Sequence, residues 1–274
     1  MTVARATLQR EVTRRLTRAG VWDPEGDARA LLDRFLGPDD AASAQAELER
    51  AVAEREERIP LEHIVGMALV DGATYTVGTG AFIPRAESTR IIELAAAPEI
   101  LRRGGAVLDL CAGVGTLGIG IALRRPDARV TLIERDEVPM RYLRRNIARL
   151  LGSERSSVTA VQADLYETDA RGLAPADVVV ANAPYVPQDL RLLPEWAEHQ
   201  PREALYGGGD GLDLIRRAVE VARTVLPAQG TLLLEHDRAQ PEAVRALLEA
   251  QGFAEVQTVL DSAGETRITR AARR

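Results

Sequence analysis

The sequence predicts an α/β fold: an open, mostly parallel, Rossmann-like sheet with a C-terminal antiparallel hairpin, preceded by a small helical N-terminal domain. Three observations carry this. Short apolar runs recur at 106–110, 130–133, 178–181 and 231–234, with a weaker one at 158–163. Segments with helical spacing separate them, 140–151 and 212–226 among them. Short apolar strands alternating with helices belong to a parallel sheet covered on both faces. Third, 253–260 and 266–271 flank Asp261-Ser262-Ala263-Gly264, the pattern of an antiparallel pair at the sheet edge.

The first sixty residues carry helical periodicity instead. Leu8, Val12 and Leu16 recur every four positions, with Gly20 as a stop signal. Asp23-Pro24 opens a second helix with Ala28, Leu31, Leu32 and Phe35 turned inward, and Gly37-Pro38 closes it. A third, highly charged helix runs through 47–57 and stops before Pro60. Ala68-Leu69-Val70 and Thr74-Tyr75-Thr76-Val77 then flank Asp71-Gly72, a hairpin signal. The expected organisation is a helical domain over 1–60, a hairpin connector over 61–87 and a catalytic domain over 88–274.

A chain of 274 residues has room for one large domain and a small one. With 4% aromatic residues, its core must be built from Ala, Val, Leu and Ile. No apolar run approaches the ~20 residues that span a bilayer, and the first residues lack the apolar centre of a signal peptide; a cytoplasmic protein is expected. A single cysteine, Cys111, excludes an intramolecular disulfide and a cysteine-based zinc site. His63, His199 and His236 lack ligand spacing, so no metal is expected; His199 and His236 read as surface or loop residues, Trp22 and Trp196 as packing residues. The net charge of −6 argues against broad electrostatic binding to nucleic acid. Every basic residue is an arginine, which with the abundant alanine reads as genomic bias; Arg5, Arg10, Arg14, Arg15 and Arg18 read as a solvated helix face.

Two segments carry chemistry. In Val107–Gly115 a strand runs into a loop with Gly113 and Gly115, and a helix follows near Leu117. Glycine there lets the backbone approach a ligand at the carboxyl edge of the first strand. Cys111 is a small residue facing this loop, two positions after Asp109. Glu134 ends the following strand nineteen residues after Gly115, where a carboxylate accepts both ribose hydroxyls of a nucleoside. Asp164 ends the third strand, placed for an adenine edge, with Leu165 packing beside the ring. Gly113, Gly115 and Gly118 also spell the G-x-G-x-x-G of dinucleotide enzymes, so the loop alone does not name its ligand.

The second segment is Asp177–Tyr185, a buried strand ending in Asn182-Ala183-Pro184-Tyr185 on the same edge. An NH₂ group conjugated to a carbonyl or ring is a poor nucleophile because its lone pair is delocalised. It needs acceptors that hold its two hydrogens and aim the nitrogen at a methyl sulfonium. Asn182 Oδ1 and the Ala183 carbonyl are the candidates. Pro184 stiffens the turn and Tyr185 offers a flat face. Arg85 and Glu87, where the chain enters the catalytic region, are candidates for lining the pocket.

The chain resembles the bacterial protein-(glutamine-N5) methyltransferases of the HemK type, which methylate release factors and ribosomal proteins. The likeness runs through Pro60–Gly66, Phe82-Ile83-Pro84-Arg85, Asp109–Gly115, Asn182–Tyr185, Pro201–Leu205 with Gly207–Gly211, and Asp261–Arg267. It implies S-adenosyl-L-methionine as cofactor, S-adenosyl-L-homocysteine as product, and a class I methyltransferase fold. The cofactor would be held by Asp109, Cys111, Gly113, Gly115, Glu134, Asp164, Leu165 and Asn182. The helical N-terminal region would recognise a protein substrate carrying a glutamine, and neither a membrane nor direct nucleic-acid binding is expected. Two departures mark a subgroup: Asn-Ala-Pro-Tyr stands for the family's Asn-Pro-Pro-Tyr, and Gln200 stands where an acid usually precedes the proline. Two rival classes stay open, a nucleic-acid base amino-methyltransferase and a catalytically degenerate cofactor-binding interaction module.

Overall fold

The computed structural model describes residues 3–36, 42–152, 157–261 and 263–274. The chain forms two compact units, Met1–Met67 with Leu192–Gln200, and Ala68–Arg191 with Pro201–Arg274.

The smaller unit is built on α1 (Val3–Arg18), α2 (Pro24–Phe35), α3 (Ala42–Glu56) and the short α4 (Leu61–Val65). Asp23 caps α2, its carboxylate accepting from the Gly26 N–H at 3.0 Å, and Pro24 takes the first helical position, where no N–H is needed. Val12, Leu16, Ala28, Leu31, Leu32, Leu48 and Val52 form its core, matching the apolar spacing of the first two helices. The expected stop at Gly37-Pro38 lies outside the described residues.

This unit differs from the expected 1–60 boundary in two ways. It continues through α4 to Met67, and it recruits Leu192–Gln200 from far along the chain. A buried ion network holds that segment. Glu195 accepts from Arg58 Nε and Nη2 at 2.6 Å each and from Arg55 Nη2 at 3.0 Å, while Arg55 Nε also reaches Asp27 at 2.7 Å. Trp22 is not a packing residue: it is 87% exposed.

The larger unit opens with a hairpin of β1 (Met67–Val70) and β2 (Ala73–Thr76), followed by α5 (Thr89–Ala96). Alternation then sets in: β3 (Ala106–Leu110), α6 (Thr116–Arg124), β4 (Arg129–Glu134), α7 (Glu137–Leu151), β5 (Val158–Gln162) and β6 (Val178–Ala181). After the short α8 (Pro194–Ala197) and α9 (Arg202–Leu205) come α10 (Asp213–Val225), β7 (Thr231–Glu235), α11 (Pro241–Ala250), β8 (Phe253–Val259) and β9 (Ile268–Arg273). The seven-stranded sheet has the order β5-β4-β3-β6-β7-β9-β8. Strands β3 to β7 are parallel, and β9 inserts antiparallel between β7 and β8. The expected turn of the last hairpin includes Ser262, outside the described residues; around it, Asp261 Oδ1 accepts from the Ala263 and Glu265 N–H groups.

Alternation along each strand divides the core into two layers. Val107, Val130, Leu132, Val178, Val180 and Leu233 face α5, α6 and α7. Leu108, Leu110, Ile133, Val179, Leu232 and Leu234 face α10 and α11. The order reverses between β3 and β6, where open parallel sheets bind ligands beyond the carboxyl ends of their strands. Among the described residues, no helix is long and apolar enough to cross a membrane.

Candidate functional site

Asp109 stands on β3 between Leu108 and Leu110 and so points to the α6 side. Its Oδ2 accepts from the Gly118 N–H at 2.8 Å, inside the first turn of α6, and its Oδ1 is buried with no partner. Burial raises this carboxyl to about 7, with Glu134 adding to the rise and the Gly118 bond opposing it. Gly113 and Gly115 both take positive φ, 57° and 94°. A Cβ at Gly113 would meet nothing within 4 Å, so the loop leaves open space before its backbone. Gly118 belongs to packing: a Cβ there would lie 2.6 Å from Leu132 Cδ2 and 3.0 Å from Asp109 Oδ2.

Cys111 has φ 61° and lies partly buried in the loop; burial pushes its thiol up, away from nucleophilic use. Glu134 ends β4 as expected. Its Oε2 accepts from Gly113 N–H and its Oε1 from Asp136 N–H, both at 2.8 Å. Each oxygen keeps a lone pair, so the carboxylate is oriented by the loop and still able to accept two hydroxyls. Asp164 lies two residues beyond β5, and its Oδ1 already accepts from the Tyr166 N–H at 2.8 Å. Leu165 is a core residue, packed into the layer under α10.

The loop is braced by residues that sequence reasoning passed over. Tyr75 of β2 donates its hydroxyl to the Thr116 carbonyl at 3.2 Å. The fully buried Asn146 on α7 accepts from Thr76 N–H and donates to the Thr76 and Val114 carbonyls, at 2.8 to 3.0 Å. The hairpin is thus bonded, directly and through Asn146, to the glycine loop between β3 and α6.

Beyond β6, Asn182-Ala183-Pro184-Tyr185 turns across the same edge. Ala183 and Pro184 are buried, Asn182 and Tyr185 half-buried. The Asn182 side chain makes no hydrogen bond among the described residues. The turn is held from outside by backbone: Val186 N–H donates to Leu205 O and Gly207 N–H to Val186 O, both at 2.9 Å. Gln240, just before α11, donates Nε2 to the Tyr185 and Asp210 carbonyls at 2.9 and 3.0 Å, and its Oε1 accepts from Asp237 N–H. A Cβ at Gly207 would lie 2.3 Å from the Pro184 oxygen, and one at Gly211 2.1 Å from the Tyr185 oxygen. The glycine segment therefore presses against the turn where only glycine fits.

An ionisable cluster surrounds the turn. Glu235 ends β7, 3% exposed, with Oε2 accepting from Ser88 Oγ at 2.8 Å. Burial raises it to about 7, while Ser88, Arg85 and Arg267 favour its charge and Glu87 opposes it. Tyr185 stays a neutral phenol, its pKa pushed up by burial. Arg85 and Glu87 thus stand within electrostatic reach of Glu235. His236 is no surface residue: it is fully buried, Nδ1 donates to the Asp237 carbonyl at 2.9 Å, and Nε2 meets Thr269 Oγ1 at 2.8 Å. Burial lowers its pKa, so it stays neutral and structural. His199 is half-buried, its Nε2 3.2 Å from the Glu57 carbonyl.

Comparison with known proteins places this geometry. The methyltransferase small domain profile matches residues 91–194. A release factor glutamine methyltransferase of Mycolicibacterium smegmatis is 37% identical over 95% of this chain and 95% of its own length. The chain belongs to the release factor glutamine methyltransferase family. Within the same range of likeness, a 4-amino-L-phenylalanine/4-methylamino-L-phenylalanine methyltransferase of Streptomyces pristinaespiralis is 35% identical, over 92% of this chain and 90% of its own. Among solved structures, a methyltransferase from Pyrococcus furiosus shares the fold with a TM-score of 0.53 and 19% identity, over 85% of this chain and 98% of that one. The Rossmann-like sheet of this chain is thus a fold shared with a solved methyltransferase, and its own C-terminal strands form the antiparallel pair.

Proposed function

We propose that this chain transfers a methyl group from S-adenosyl-L-methionine to the side-chain amide nitrogen (N5) of a glutamine in a protein substrate, a peptide chain release factor or a ribosomal protein. The observation that carries the reading is the Asn182 side chain, without a hydrogen bond among the described residues at the carboxyl edge while its backbone turn is clamped. In this reading Asn182 Oδ1 and the Ala183 carbonyl accept the two amide hydrogens, and the buried Pro184 and half-buried Tyr185 fix the plane. Ala183 keeps the carbonyl that the family's proline would supply.

The residues of the cofactor loop fit a sulfonium nucleoside. Gly113 leaves open space, the Glu134 carboxylate is aimed by two N–H groups, and Asp109 keeps one buried oxygen without a partner. Asp109, Cys111, Gly113, Gly115, Glu134, Asp164, Leu165 and Asn182 would hold it. The cofactor supplies an electrophilic methyl group and leaves as S-adenosyl-L-homocysteine. The chain's own residues then need only bind and orient the nitrogen. The helical region 1–60 serves as the substrate-recognition domain, 61–87 as the connector and 88–274 as the catalytic domain, in a cytoplasmic enzyme.

The Streptomyces relative favours a second reading, a small arylamine acceptor, because its nitrogen too is conjugated to a planar group and the same two acceptors serve it. The purified chain with methyl-labelled cofactor, offered release factor in one arm and 4-amino-L-phenylalanine in the other, separates the two. Label on a release-factor glutamine, located by mass spectrometry, is the expected result. Label only on the amino acid would transfer the assignment to the arylamine, and label on neither would set both aside.

A further inference from the structure

We propose that Glu235 is a further catalytic residue: its carboxylate receives the proton that the acceptor nitrogen sheds once methylated. This rests on the reading that a nitrogen is methylated at this site. Strands β6 and β7 run in register through the pair Ala181 and Leu234. The next residue of each, Asn182 and Glu235, therefore share one level of the carboxyl edge, acceptor-holding amide beside carboxyl. The Glu235 carboxyl is buried, its Oε2 is fixed by Ser88 Oγ at 2.8 Å, and its Oε1 receives no hydrogen bond among the described residues.

A carboxyl on a residue only 3% exposed is costly to keep charged unless it has work to do. Two neighbouring side chains are not available as bases. His236 has both ring nitrogens engaged, by Asp237 O and Thr269. The Tyr185 phenol is held protonated. Arg85 and Glu87, from the segment before α5, and Arg267, before β9, set the local field together with Asp237 beyond the strand end. Burial outweighs the two arginines, so Glu235 titrates near neutrality, where a base is best matched to its task.

The balance is simple. As the N–C bond forms and the S–C bond breaks, the nitrogen carries one hydrogen too many. The N–H bond breaks, its electron pair stays on nitrogen, and the proton passes to Glu235 Oε1. The carboxylic acid returns it to water when the product leaves.

The test uses the whole chain with S-adenosyl-L-homocysteine bound and ¹³C-labelled glutamate carboxyls followed by NMR against pH. The resonance of Glu235 is the one missing in Glu235→Gln. A midpoint near neutrality is expected, moving upward in Ser88→Ala because the lost hydroxyl had favoured the charged form. A midpoint in the ordinary glutamate range, about 4.3, overturns the proposal whatever the substrate is. On whichever acceptor the wild type methylates, Glu235→Gln is expected to lower kcat about 10²-fold, with KM and cofactor affinity kept and the acid limb of the pH profile abolished. An unchanged profile overturns it too. A wild type that methylates neither release factor nor 4-amino-L-phenylalanine removes the substrate reading, and the NMR midpoint still decides the role of Glu235.

Discussion

Gly113 and Gly118 stand five residues apart and dispense with a side chain for different physical reasons. Gly113 needs its positive φ and faces open space, whereas Gly118 would drive a Cβ into Leu132 and Asp109. Gly113→Ala should cost about 1 kcal/mol of backbone strain and weaken S-adenosylmethionine binding far more than it weakens folding. Gly118→Ala should cost about 1–3 kcal/mol of stability through overpacking. Calorimetric titration beside thermal unfolding checks both; equal losses of affinity and stability in the two variants would contradict the division. Asn182 makes the complementary case. Asn182→Asp keeps an acceptor oxygen but adds a charge and loses the amide hydrogens, so cofactor binding should persist through the seven other residues assigned to hold it while kcat falls about 10²-fold, the scale of a misplaced acceptor. Full turnover in that variant would remove the role given to Asn182.

In the proposed function the chemistry falls to the turn after β6, and Gln240 ties that turn down from outside. Its Nε2 joins the Tyr185 and Asp210 carbonyls across 55 and 30 residues of sequence. Gln240→Ala leaves both carbonyls short of a donor. Its kcat should fall about tenfold or more as the turn loosens, with cofactor affinity kept, and Gln240→Glu, which keeps the acceptor but not the donor, should not rescue it. A loss confined to cofactor affinity would place Gln240 elsewhere in the mechanism. The parallel strands were legible because each is a short run rich in apolar residues, and Glu134 was legible because it closes one. The brace on the cofactor loop was not. Its bonds pair Tyr75 with Thr116 and Asn146 with Thr76 and Val114, at separations where no local pattern survives. Leu165, beside Asp164, is packed into the layer under α10, a placement set by contacts that its position in the sequence does not reveal.

On the scale of the molecule, the two units store charge in opposite ways, and pH should separate them. Periodicity in the first sixty residues revealed the helices, yet Leu192–Gln200 joins them through contacts of Glu195 with Arg55 and Arg58 that span 140 and 137 residues, beyond any sequence pattern. Burial works to raise Glu195, and its bonds to Arg58 and Arg55 outweigh that, holding it below the ordinary glutamate range. Asp27 shares only Arg55 and stays raised by burial, a partial offset in the same network. The stability from Glu195 is therefore present above the ordinary carboxylate range and lost as pH falls through its lowered value. In the larger unit, Asp109 and Glu235 are raised to about 7 by burial. Their folded forms bind protons more tightly than the unfolded chain, so their cost is absent in acid and grows until about pH 7, by about 1.4 kcal/mol per pH unit for each group. Both tryptophans, Trp22 and Trp196, lie in the helical unit, so their fluorescence reports it, while circular dichroism sums the helices of both units and the sheet of the larger. Between pH 5 and 7.5 the urea midpoint seen by circular dichroism should fall, and the fluorescence midpoint should not. Glu235→Gln should remove part of that fall, since it deletes one of the carboxyls that burial raises in this unit, Glu134 being raised as well; an unaltered slope in that variant would show that Glu235 does not carry it.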